Sequence, residues 1–170
     1  LDPLDGHETW FSIPSCDPVF NDLGHPNAVR IINADVVDES IFPRGLSITS
    51  NLPTYVLGET NTSSDPTAFA AEPWVPFMIG SDAMSLLSNN WDDANAPWDK
   101  SKSLSNRNAV DTQYNIEFIG GIVQTVDASK YSGGLENFPR FLENWSGKKA
   151  TIRGSFVMGF NSVYARQRWG

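Results

Sequence analysis

The chain has 170 residues, 40% of them hydrophobic, which is enough for one core and points to a single domain. Twelve Lys and Arg stand against twenty Asp and Glu, a formal net charge of -8 and an isoelectric point near 4.6. That average field repels phosphate backbones and anionic surfaces, so nucleic acid is not an expected partner.

Nowhere do the roughly 20 apolar residues of a bilayer span run together, and no membrane contact is expected of this segment. One cysteine, Cys16, forms no internal disulfide and says nothing of redox compartment. Charged residues are only 19%, beside six Trp, ten Phe and abundant Asn and Ser. This balance suits the Asn-rich turns of an extracellular or cell-surface β protein. The start at Leu1 and the end at Arg168-Trp169-Gly170 read as a piece of a larger exported protein.

Residues 1–26 carry Pro3, Pro14, Pro18 and Pro26 with Gly6 and Gly24 and read as an irregular lead-in to a domain spanning 27–170. Asn27 to Val37 is the first β-rich run, closed by a turn at Phe42-Pro43-Arg44-Gly45. Leu46 and Ile48 then alternate with Ser47 and Thr49, and Thr54 to Gly58 forms a second short strand after the turn at Ser50 to Pro53. Similar pairs recur: Phe77 to Gly80 before Met84 to Leu87, Phe118 to Gly121 before Ile122 and Val123, and Thr151 to Gly154 before Phe156 to Met158.

Aligned on Gly58, Gly80, Gly120 and Gly154, these units are 22, 40 and 34 residues apart, with Ala34 standing 24 before Gly58. At a strand rise of ~3.3 Å per residue the short spacings fit one coil of a parallel β-helix, and the longer ones a coil plus an insertion. The expected fold is all-β: a right-handed parallel β-helix, or solenoid, with one short inserted α-helix and one long polar loop. An antiparallel sandwich is the alternative.

Two insertions differ in character. Ser88 to Thr112 is polar and aperiodic and reads as a surface loop. Between Gly134 and Gly147, Leu135, Phe138, Phe141, Leu142 and Trp145 make a helical apolar stripe, predicting a helix from about Glu136 or Asn137 to Ser146 with Gly147 as its terminator.

Several segments, Gly45 to Gly58, Leu87 to Asp93, Tyr131 to Gly147 (YSGGLENFPRFLENWSG), Ile152 to Val157 and Asn161 to Ala165, resemble a region of uncharacterised bacterial surface proteins related to type IV pilus accessory, PilX-like, proteins with a β-solenoid region. The resemblance covers roughly residues 45 to 169. It implies an exported, pilus-associated, β-rich protein and brings no catalytic residues with it.

Candidate chemistry is sparse. Asp92, Asp93 and Asp99, with Asn89, Asn90 and Asn95, offer oxygen ligands for calcium, but lack the spacing of a calcium loop and suit a solvated turn better. Trp74, Trp91 and Trp98 lie in or beside loops and are candidates for an aromatic platform against sugar rings or a partner's apolar side chains. A lyase needs converging carboxylates; Asp35, Glu59, Asp82 and Glu117 lie beside candidate strands and read as surface groups. His7, Cys16 and His25 match no zinc pattern, no Ser sits in a nucleophile elbow, and the glycine pairs lack the Lys-Ser/Thr of a phosphate loop.

No catalytic residue, cofactor or metal is therefore expected. The leading expectation is a structural or adhesive module whose partners are other protein subunits or surface glycans, with self-association through coil ends. Rivals are a carbohydrate-binding module using Trp91 and Trp98, a β-helix polysaccharide lyase using Asp82, and a pilus-linked DNA receptor using Arg140, Lys148, Lys149, Arg153, Arg166 and Arg168.

Overall fold

Short stretches of alternating apolar and polar residues become short strands, each sending every second side chain inward. The computed structural model describes residues 28–62, 74–95, 103–122 and 139–162. The lead-in 1–26, with His7, Cys16 and His25, lies outside them, as do Trp98 and Asp99. Ten strands occur among the described residues: β1 (Val29–Ile31), β2 (Leu46–Ser50), β3 (Thr54–Leu57), β4 (Phe77–Ser81), β5 (Met84–Leu87), β6 (Thr112–Asn115), β7 (Glu117–Ile122), β8 (Arg140–Phe141), β9 (Ala150–Arg153) and β10 (Phe156–Asn161).

Every strand pair among the described residues is parallel, against the antiparallel alternative. Sheet A has the order β1-β3-β5-β8, sheet B the order β10-β7-β4-β2, and sheet C pairs β6 with β9. From β4 onward the chain visits the sheets in one repeating order: B, A, C, then B, A, C, then B. In the preceding pass Thr60 takes the sheet C place by bridging Tyr114, and in the first pass Ala34 accepts the Asn61 N–H.

Parallel stacking puts like residues above like. Ile31, Val56, Leu86 and Phe141 form one inward column in sheet A. Ile48, Ile79, Phe118 and Phe156 form another in sheet B, where the Phe118 and Phe156 rings stack at 4.9 Å and 4°. Tyr114 and Ile152 meet in sheet C, and these columns face one another as a single core. Full burial of such a side chain contributes about 1.5–3 kcal/mol; Phe156, at the exposed end of its column, gains less.

The glycine alignment is not the register the structure adopts. Gly80 lies beside Thr49 and Ile119, Gly120 beside Ser81 and Met158, while Gly58 and Gly154 sit at corners. True returns are Leu46 to Phe77, Ile79 to Phe118 and Phe118 to Phe156. Side chains that must meet in the core set the register, and glycine is placed wherever a corner or a close approach needs it.

The expected helix is a correction. Over residues 139–147 the chain forms β8, which pairs with Ser85 and Leu86, then a bridge from Asn144 to Asn108 and a turn. Phe141 and Trp145 pack edge to face at 5.5 Å against the core. An aromatic spacing that suits a helix also suits an extended segment followed by a turn, and the open edge of β5 supplies backbone partners that decide between them. Gly147 has the left-handed φ of +68° expected of a terminator, but it closes this turn. Leu135 to Phe138 lie outside the described residues.

Two further expectations shift. The first β-rich run keeps strand geometry only over Val29–Ile31. The polar segment after Ser88 is not all surface, since Ser88, Ala109 and Thr112 are buried. Among the described residues, no helix is long and apolar enough to cross a membrane.

Candidate functional site

Three successive corners leave sheet A on the same side: Ile32 to Asp35 after β1, Gly58 and Glu59 after β3, and Ser88 to Trp91 after β5. They enclose a groove of about 400 Å³ lined by Ile32, Asn33, Asp35, Leu57, Gly58, Glu59, Asn89 and Trp91. Asn33 turns its corner at φ +53°, a left-handed conformation that asparagine tolerates. Gly58 turns the next at φ +80°, and a side chain there would collide with Asn89, its Cβ only 2.4 Å from Oδ1. Asn89 uses that oxygen to accept the Glu59 N–H at 2.9 Å, which pins its carboxamide on the groove floor.

The third corner is anchored by buried polar groups. Ser88 Oγ accepts the N–H groups of Asn90 and Val110 and donates to Glu143 Oε1 at 2.7 Å, while the Ser88 N–H donates to Glu143 Oε2. The long segment after β5 thus leaves from and returns to one hydroxyl. Beside it, the Tyr114 hydroxyl donates to Leu87 O at 2.8 Å. Burial, and then the Glu143 carboxylate, push the Tyr114 phenol well above its ordinary range, so it stays a donor.

Trp91 is fixed from its edge. Its indole Nε1 donates to Asp93 Oδ1 at 2.8 Å, and Arg30 on β1 donates through both terminal nitrogens to the Asp93 oxygens, each at 2.8 Å. Hydrogen bonding from Arg30, then from Trp91, holds the Asp93 carboxyl below its ordinary value, and Asp93 raises the Arg30 guanidinium in return. A lowered folded pKa means that the clamp is fully formed above the unfolded value and is lost only as pH falls through the folded one. Acrylamide quenching of Trp91, isolated by difference from Trp91→Phe, should therefore stay constant on acidification from neutrality to about pH 4 and rise below that. Asp93→Asn should raise quenching at neutral pH to the level the parent reaches only on acidification, and flatten the pH profile, while costing only about 0.2–1 kcal/mol, because the pair is exposed. Quenching unchanged by Asp93→Asn would show that the clamp does not hold the ring.

Of the two sequence-selected tryptophans among the described residues, Trp91 lines this groove and Trp74 does not. Trp74 precedes β4 at another corner, where the Arg153 guanidinium lies 5.8 Å from its ring centroid. Trp98 lies outside the described residues, and Trp74 and Trp91 stand at different corners. Asp92 accepts the Ala94 N–H and the Asn95 Nδ2, and Asp93 is taken up by Arg30 and Trp91. Among the described residues no group of three or more His, Cys, Asp and Glu is arranged to hold a metal ion.

The four carboxylates beside strands separate. Asp35 and Glu59 meet in the groove, exposed, whereas Glu117 accepts the Ser155 N–H at a different corner. Asp82 corrects its surface reading: it is buried and accepts the Ser162 hydroxyl at 2.7 Å. Arg140, a candidate for a basic stripe, is half-buried near Tyr55 and Asp82, and its own burial lowers its pKa.

Asparagines away from the acidic turn hold the corners together. Asn61 and Asn115 stack in a buried ladder at the entry to sheet B: Asn61 Nδ2 donates to Val75 O and Asn115 O, and Asn115 Nδ2 returns a bond to Asn61 O at 2.7 Å. Asn108 and Asn144 stack likewise, side chain to side chain at 3.0 Å. The legible signal is an Asn within a few residues after each strand of sheet A, as at Asn33, Asn61, Asn89 and Asn144.

No protein-family model matches the chain, and comparisons with curated proteins and with solved structures find no match.

Proposed function

We propose that this domain is a right-handed parallel β-helix serving as a structural or adhesive module of an extracellular, pilus-associated bacterial surface protein. The repeating order in which the chain visits three parallel sheets carries this reading. In such a stack the inter-strand hydrogen bonds run along the stacking direction, and the Asn61–Asn115 ladder extends them through a corner, which makes a stiff scaffold. Its outward corners then carry loops without disturbing the core.

The far edge of β10 has no strand partner among the described residues, and Val157, Met158 and Phe160 are exposed on it. An open parallel edge of this kind templates further strands, which suits continuation of the stack by another subunit. The resemblance of its sequence segments to type IV pilus accessory proteins supports a setting outside the cell.

Immunogold labelling of intact cells with antibodies to residues 28–162 is expected to decorate the exterior, and in-frame deletion of those residues to reduce surface attachment without slowing growth. Labelling found only after permeabilisation, or attachment unchanged by the deletion, would overturn the proposal. A second reading, as a glycan-binding module, is favoured by one observation, the groove beside Trp91.

A further inference from the structure

We infer that the groove formed by the corners after β1, β3 and β5 binds a neutral or amino-bearing pyranose of a surface glycan. The inference deepens the adhesive reading and rests on it for its biological setting, but the chemistry is argued from the groove alone. Pyranose rings combine an apolar face of C–H bonds with a rim of hydroxyls, so a site for them needs an aromatic face next to planar groups able to donate and accept hydrogen bonds. Trp91 supplies the aromatic wall. Asp93 and Arg30 hold its edge in place before any ligand arrives, which spares the cost of ordering the ring on binding.

Around it stand Asp35, Glu59, Asn33 and Asn89. The carboxylates of Asp35 and Glu59 and the carboxamide of Asn33 make no hydrogen bond or ion pair with the described residues, and Asn89 commits only its oxygen, to the Glu59 N–H. That leaves acceptors and donors side by side, the pairing that two adjacent hydroxyls require. At about 400 Å³ the groove falls within the roughly 300–1,000 Å³ of small-ligand sites.

Charge narrows the ligand further. Two carboxylates with no paired cation among the described residues repel a uronic or sialic acid, accept a neutral sugar and favour one bearing an ammonium group. Gly58 makes the floor usable, since any side chain there would displace Asn89.

Titration calorimetry of the folded chain with three soluble hexamers, a neutral glucan, a chitosan and a polygalacturonate, tests this. Binding is expected for the first two, at a Kd of about 0.1–1 mM, tighter for chitosan and weakening with salt, and none for the uronate. Trp91→Ala should lose tenfold or more for both ligands. Glu59→Gln, at an exposed side chain outside the core, should leave the fold intact and reduce the preference for chitosan over glucan. No binding of any hexamer, equal binding of the uronate, or Trp91→Ala binding like the parent would overturn the inference. Binding of a lysine-rich peptide without any hexamer would also overturn it and assign the carboxylates to a protein partner. If cell-surface labelling and attachment hold while the hexamers fail, the adhesive reading stands and this site does not.

Discussion

Phe118→Ala is expected to lower the unfolding free energy by ~3–5 kcal/mol, read from urea denaturation at unchanged m-value, and the melting temperature by on the order of 10 °C. Phe118 is fully buried between Ile79 below and Phe156 above, its ring parallel to that of Phe156. Its neighbours are held by parallel ladders at a strand spacing of roughly 4.8 Å, so they cannot move in to fill the space. The cavity therefore persists, and its cost adds to the lost burial. Phe156→Ala is the internal comparison: that ring is 39% exposed at the end of the column, and its loss should cost less than half as much. Equal effects at the two positions would mean that the column does not end there.

Strands whose core side chains alternate with polar ones could be read directly. Leu46 and Ile48, and Phe77 and Ile79, mark their strands because burial demands apolar residues at every second place, and Val56 marks the next strand although its inward partner Thr54 is polar. β6 was hidden because it begins at the last residue of the polar segment and three of its four residues are polar, with Thr112 and Asn115 buried through hydrogen bonds. β8 was hidden for the opposite reason: its aromatic neighbours mimic a helical stripe, and only the partner edge of β5, 55 residues earlier at Ser85, makes it a strand. Register depends on which residues return to the same place, and insertions between β5 and β8 erase that period from the sequence.

The groove shows the same division. Trp91 was legible as a loop aromatic, but its wall depends on Arg30, 63 residues away, reaching Asp93 from β1. Asp92 and Asp93 looked like one acidic group and act differently, one capping its own turn and the other clamping a ring. Asp35 and Glu59 belong together only because the corners after β1 and β3 stack. No spacing rule read along the chain encodes that neighbourhood, since it follows from the register of Val29 on Thr54.

Gly154→Ala is expected to cost more than about 4 kcal/mol, beyond the usual range of single substitutions. Gly154 turns the corner between β9 and β10 at φ +153°, and a Cβ there would stand 1.8 Å from Ile116 O and 2.6 Å from its carbonyl carbon. Those atoms belong to the equivalent corner of the preceding pass, between β6 and β7. Neither corner can yield alone: the Ile116 N–H donates to Arg153 O at 3.0 Å and the Phe118 N–H to Ser155 O at 2.8 Å, so the peptides on both sides are locked together. A single methyl must part the two passes, exposing the Phe118 ring that Phe156 covers. Hydrogen exchange should report this as lost protection at the Ile116 and Phe118 amides, while those of β3 and β5 keep theirs. Gly159→Ala, where the nearest atom to the added Cβ is 3.8 Å away, should change stability by no more than about 0.5 kcal/mol. If the two alanines prove equally tolerated, the last pass is not seated on β7 as described, and the scaffold ends one strand earlier.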